Sequence, residues 1–411
     1  MLLRAAAGLG LAVAVAGADV PLETLGSTER LREPPHPHWV FVGDLLLRRS
    51  ALLDLDRSTF LGMVSSGFLS QGIAVPRRRA EFYVPETYYS RGSRGERTDV
   101  VTIYDAAALE PVDEVAIPPR RAINVLPSAN AALSDDDRFL AVFNMTPATS
   151  LSVVDVEARS FAGEIATPGC SLVYAGGERR FLMLCADGSL LTVTLDEAGQ
   201  EAGKLRSEPF FDPNEDPVTE KAVRYGDRWL FVSFEGQVHA VDVSGDAPRV
   251  EAPWSLLDEA DREDAWRIGG IQHLAVHAAS GRLYSLMHRG GADTHKQSGS
   301  ELWVYDLGTR ERTQRIALHH PGFSFMGDTI EFGKSWPWPF NRLSDWLLDS
   351  VAPNPGLDVV AVTQDAEPLL VTGSKQSGSL AVYDARSGRF LRRISSGNFM
   401  VHAVQAPWSA P

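Results

Sequence analysis

The side chains best suited to metal or acid–base chemistry in this chain are its histidines, and their spacing favours neither. His273 and His277 stand four residues apart in Ile271-Gln-His-Leu-Ala-Val-His277. That segment reads as a strand, so the interval puts both rings on one face and a structural role is the plainer reading. His36-Pro-His38 and His319-His320 come without a carboxylate or thiol cluster in the neighbouring sequence, which a metal centre would need. His288 and His295 flank Gly290-Gly291, a loop that could face an axial surface, and they too read as structural. No nucleophile elbow, H-E-x-x-H pair, phosphate-binding loop or dinucleotide fingerprint occurs. The charged run Glu96, Arg97 and Asp99 reads as a solvated or interface ion-pair patch.

The aspartates recur instead. A strand of alternating apolar residues ends at an Asp, a turn of small or charged residues follows, and a second strand begins. The pattern reads Leu380-Ala-Val-Tyr-Asp384 near the C-terminus and repeats at Asp54, Asp105, Asp155, Asp196, Asp242 and Asp306. An Asp at that point accepts hydrogen bonds from amides two residues on and fixes the hairpin. These carboxylates are therefore turn formers rather than catalysts. The early intervals of about 40 to 50 residues match a four-stranded propeller blade, and the two longer final intervals imply insertions. The fold class expected is all-β, a seven-bladed β-propeller of four-stranded antiparallel blades forming a single domain over 19–411.

Export follows from the N-terminus. Met1-Leu-Leu-Arg4 is a basic start, Ala5 to Val15 is apolar, and Ala16-Gly17-Ala18 fits a cleavage site, so residues 1–18 read as a cleaved signal peptide. In an exported chain, the two cysteines, Cys170 and Cys185, read as one disulfide. The formal net charge of −14 disfavours nucleic acid as a partner.

Specific strings carry a resemblance. Ser93-Arg-Gly-Glu-Arg-Thr-Asp-Val-Val-Thr-Ile-Tyr-Asp105 resembles a segment of the heavy chains of methylamine and aromatic amine dehydrogenases. The similarity continues at Gly67-Phe-Leu69, Cys170 to Cys185 with Asp187-Gly-Ser189, Ala265-Trp-Arg-Ile-Gly-Gly270, His295-Lys-Gln-Ser298 and Glu367-Pro-Leu-Leu370. The resemblance implies a large, cofactor-free subunit of a periplasmic α2β2 quinoprotein. In that family a small disulfide-rich light chain bears tryptophan tryptophylquinone. The complex oxidises a primary amine to aldehyde and ammonia and passes electrons to a blue copper protein or cytochrome c. No catalytic residue and no metal ligand is then expected in this chain. The resemblance also places Phe68, with Leu69 beside it, at the mouth of the substrate channel.

Residues 321–356 depart from those heavy chains. Phe323, Trp336, Trp338, Phe340 and Trp346 make the segment aromatic, and Leu343 to Val351 has helical periodicity. Trp and Phe are favoured interface anchors, so docking of a partner subunit is the expectation. A lid on the propeller or weak contact with a membrane interface are the alternatives. Two rival functions remain for the whole chain: a non-enzymatic propeller binding a protein or ligand on its axial face, and a propeller lactonase, for which no cluster of metal-ligating carboxylates is evident.

Overall fold

The computed structural model describes residues 30–33, 35–44, 46–68, 72–123, 128–319, 354 and 356–408, with the backbone of 323–325 and 328–330. Its strands form seven antiparallel sheets arranged as the blades of a propeller. The first strands of successive blades touch one another, as Ala131–Leu133 does Cys170–Gly177 and Val223–Tyr225 does Leu274–His277, so they line the axis.

The third blade is a regular example, with Ala131–Leu133, Phe139–Asn144, Ser150–Asp155 and Ser160–Ala166 paired in order from axis to rim. Its two middle strands are buried at every position, because each has a neighbouring blade on both faces. The rim strand is largely exposed. The apolar core is accordingly divided into layers between blades: Val40, Leu53, Val371 and Val382 fill the gap between the first and seventh, and Tyr83, Ile103, Leu140 and Val154 that between the second and third.

Each turn aspartate does what its position in the repeat requires. Asp54 Oδ1 accepts the amides of Asp56 and Arg57, and Asp155 Oδ1 those of Glu157 and Ala158. The same pairs of bonds recur at Asp105, Asp306 and Asp384. Asp196 accepts from Ala198 and Gln200, while Asp242 accepts the amide and hydroxyl of Ser244. Because the strands alternate in direction, all seven turns lie on one face of the disc. The blade-to-blade crossovers and the hairpins between second and third strands lie on the other.

The ring closes with a strand from each end of the chain. Ala403–Gln405 takes the axial place in the first blade, pairing Phe41 with Gln405 and Val42 with Val404 of Trp39–Asp44. The second blade departs from four strands: Glu81–Tyr89, Arg97–Asp105 and Pro111–Ile117 are joined at the axial edge by a single bridge, Ala74 to Tyr83. Pro76 lacks the donor needed to extend that pairing. The long interval before Asp306 holds Trp254–Ser255, Trp266–Ile268 and one short helix, Glu259–Glu263, closed by a capping box between Asp258 and Asp261. Beyond His319, Phe323–Phe325 pairs with Asp328–Ile330 as a separate hairpin. Trp336, Trp338, Phe340 and Trp346 lie outside the described residues, as does Leu69. Among the described residues no helix is long and apolar enough to cross a membrane.

Candidate functional site

Phe68 sits on the crossover from the first blade to the second, on the face opposite the aspartate turns. Its ring is half-buried, meets Tyr89 edge to face at 5.5 Å between centroids, and lies under the Arg48 guanidinium at 4.9 Å. The backbone beneath it is held tightly. The Phe68 amide donates to the Thr87 carbonyl at 2.6 Å, and the Gly67 amide to Glu86 Oε1 at 2.9 Å. A Cβ on Gly67 would stand 2.5 Å from the Thr87 oxygen, so only glycine permits this approach.

A buried polar network supports that loop. Asp99 lies at its centre with a fully buried side chain. It accepts Arg97 Nε and Nη2 at 2.9 and 2.7 Å, the Thr87 hydroxyl at 2.9 Å and the Arg121 amide at 2.9 Å. Arg121 Nε donates to Thr87 Oγ1 at 3.1 Å and its Nη2 reaches the Phe68 carbonyl at 3.4 Å. The string Arg97-Thr-Asp99 thus forms an ion pair, as its charges suggest, but one buried at Asp99 as a clamp under Phe68 rather than solvated, and Glu96 and Thr98 are exposed. Asp99 is sealed because Glu81–Tyr89 and the chain at Arg121 cover it from both sides.

Burial dominates the electrostatics here. It lowers the Arg121 guanidinium to about 10, against the opposing pull of Asp99. It raises the Glu86 carboxyl above its ordinary range, although Thr102, Tyr88 and the Gly67 amide all hydrogen-bond to it. Satisfied buried networks of this kind fix geometry more than they add stability.

On the same face, buried Asp44 ties two loops together, accepting the amides of Leu46 and Leu47 through Oδ1 and that of Phe399 through Oδ2. The side chains so presented are exposed: Leu46 is 65% and Phe399 43% accessible, as is Tyr88 at 43%. An apolar set on one face, with its backbone anchored, has the make-up of a contact surface.

Cys170 and Cys185 form a disulfide joining the first two strands of the fourth blade. His273 is fully buried against the Thr219 hydroxyl, and His277 spans Ser280 and the Asp365 carbonyl. His288 bonds Thr294, His295 stacks on Phe234 at 3.6 Å, and the His319 ring packs against Phe390. His36 and His38 differ from expectation: the fold brings Asp56 and Asp365 to them, carboxylates that are 18 and 327 residues from His38 in the chain. Indole pairs occur at Trp266 with Trp303 and at Trp39 with Trp408. They serve the blade interiors, where Trp303 donates to Glu301 and Trp39 to Asp54.

A cleft of about 310 Å³ opens on the axis at the aspartate-turn face, lined by Arg77, Asp135, Tyr174, Arg224 and Trp229. Of its lining carboxylates, Asp135 is paired by a bidentate contact with Arg224 and by Arg77 at 3.7 Å, while Asp137 and Glu220 also line it.

Comparison with known proteins bears on what this arrangement belongs to. Residues 46–327 match the family model for the methylamine dehydrogenase heavy chain, and the match ends inside the aromatic segment that begins at 321. The methylamine dehydrogenase heavy chain of Paracoccus versutus is 29% identical over 347 residues, covering 84% of this chain and 72% of that protein. The heavy chain of Methylorubrum extorquens is 26% identical over 350 residues, covering 84% and 75%. Among solved structures, a functionally unknown protein from Desulfotomaculum acetoxidans superposes with a TM-score of 0.56 at 12% identity, over 89% of this chain and 98% of that one. The dihydro-heme d1 dehydrogenase NirN superposes at 0.50 with 19% identity, over 92% and 76%. The two superpositions speak for the propeller fold. The matched residues include Phe68, its Arg97–Asp99 clamp and the disulfide, and the chain belongs to the methylamine dehydrogenase heavy chain family.

Proposed function

We propose that this chain is the large subunit of a periplasmic quinoprotein amine dehydrogenase and that Phe68 forms one wall of its substrate channel, with Leu69 beside it. A light chain carrying tryptophan tryptophylquinone would supply the redox chemistry. That light chain would dock on the crossover face in an α2β2 assembly and pass electrons to a blue copper protein or cytochrome c. The observation that carries this reading is the clamp: Thr87 and Arg121 bond the backbone of one half-exposed aromatic residue, Glu86 bonds the preceding Gly67, and Arg97 and Asp99 fix Thr87 and Arg121. A propeller that needed Phe68 only as packing would not require its loop to be fixed on both sides. The neighbouring Leu46, Tyr88 and Phe399 fit an apolar docking rim. In this role Phe68 excludes water from the reacting amine and limits the size of its alkyl or aryl group.

The test is Phe68→Ala in the assembled enzyme. The ratio of kcat/KM between a bulky and a small primary amine should rise by ~10-fold or more, the worth of a lost pocket wall. Folding stability should fall by only ~1–2 kcal/mol, because the ring is half-exposed. An unchanged amine profile would remove Phe68 from the channel.

A further inference from the structure

We propose that His36, His38 and Asp56 form a binding site for a divalent transition-metal cation at the seam where the propeller closes. The site lies on the aspartate-turn face, opposite the crossover face that carries Phe68. His36 and His38 belong to the segment that leads into Trp39–Asp44, and Asp56 stands in the turn after Arg49–Asp54. His38 Nδ1 is 2.8 Å and His36 Nδ1 4.0 Å from Asp56 Oδ2, and the three ligand atoms lie within 4.8 Å of one another. A tetrahedral zinc ion with bonds of about 2.0–2.2 Å holds its ligands about 3.3 Å apart. The observed separations straddle that value; His36 Nδ1 accepts the His38 amide at 3.1 Å, so the ion would displace that bond as the half-exposed His36 and Asp56 side chains rotate to admit it. Two imidazoles and one carboxylate suit Zn²⁺ or Cu²⁺ rather than Mg²⁺ or Ca²⁺, and leave a fourth position to water.

A second observation points the same way. The other ring nitrogen of His38, Nε2, lies 3.0 Å from Asp365 Oδ2 in the seventh blade. Asp365 is itself fixed by the Thr363 hydroxyl at 2.8 Å and the Glu367 amide at 3.0 Å. A ligating histidine ordinarily gives its second N–H to a carboxylate, which orients the ring and raises its basicity. Here that carboxylate is 11% accessible and comes from the last blade, while the ligands come from the first. A bound ion would therefore tie together the two ends of the ring. Arg392 is the opposing charge, 3.6 Å from Asp56 Oδ1. Its guanidinium is engaged by the Leu55 carbonyl at 2.9 and 2.7 Å and approaches Oδ1, leaving Oδ2 to face the two histidines.

The experiment is calorimetric titration of the EDTA-treated full chain with ZnCl₂, with thermal unfolding in parallel. Wild type should bind a single Zn²⁺ and gain in Tm, as any ligand selective for the native state requires. His36→Gln and Asp56→Asn, both at accessible positions, should abolish the binding while leaving the metal-free Tm nearly unchanged. Asp365→Asn should weaken it by ~10–100-fold. No Zn²⁺-dependent heat or Tm change in wild type would overturn the proposal, leaving His38 as a hydrogen-bonded link between Asp56 and Asp365. Binding that survives in His36→Gln and Asp56→Asn would equally overturn it.

Discussion

Phe68 and its clamp illustrate what a sequence carries at the scale of single residues. The strings Gly67-Phe-Leu69 and Arg97-Thr-Asp99 are both conspicuous, yet nothing in their spacing says that one supports the other. The link runs through Thr87 and Arg121, which reach Asp99 across 12 and 22 residues of chain. Neither residue has a local signature; Arg121 sits in an ordinary Pro-Pro-Arg-Arg run. Asp99→Asn should leave the Arg97 and Arg121 charges without their carboxylate and cost ~3–5 kcal/mol in urea unfolding. A loss below ~1 kcal/mol would mean that the network is not what holds the loop. Histidines give a second residue-scale expectation. Burial lowers His402 to about 4 and also lowers His273, His239, His288 and His295. Each gives up its proton more readily in the fold than in the unfolded chain, which takes up protons below about pH 6.5. Stability should thus be complete above that pH and fall as pH drops from 6.5 towards 4, His402 alone contributing about 3 kcal/mol of the loss. Urea midpoints measured between pH 7.5 and 5 check this, and a flat profile would contradict it.

Among the elements, the hairpins were the most legible. An Asp at the end of an alternating strand specifies its turn through bonds to amides two and three residues away, so the period and the seven blades followed from local chemistry. The second blade was less legible because its axial pairing is one bridge, set by Pro76 and by the position of Tyr83 rather than by any alternation. The helix Glu259–Glu263 did carry a signal, the Asp258 and Asp261 capping box, in a stretch too short to show periodicity. The disulfide in the fourth blade pairs adjacent strands at the crossover face and closes a separation of 15 residues. Replacing both cysteines with serine should lower stability by ~3 kcal/mol on the chain-entropy account. The measurement is the shift in denaturant midpoint at constant m-value, and a shift near zero would place that blade's stability in its packing.

For the whole molecule, the disc has two faces with different contents. The crossover face carries Phe68, its clamp and the exposed Leu46, Tyr88 and Phe399. The opposite face carries the aspartate turns, the axial cleft beside Asp135 and the His36–His38–Asp56 seam. On the proposed reading, subunit docking and substrate access belong to the first side, while ring closure belongs to the other. The family membership supports an amine dehydrogenase subunit, and the clamp under Phe68 supports the proposal that this chain positions a channel wall. Isolation of the full chain from cells grown on a primary amine tests this most directly, with the visible spectrum recorded before and after amine addition. The account predicts co-purification in equal numbers with a small cysteine-rich chain and a quinone absorbance that the amine bleaches. A chain that purifies alone under those conditions, with no such absorbance in its fractions, would contradict it.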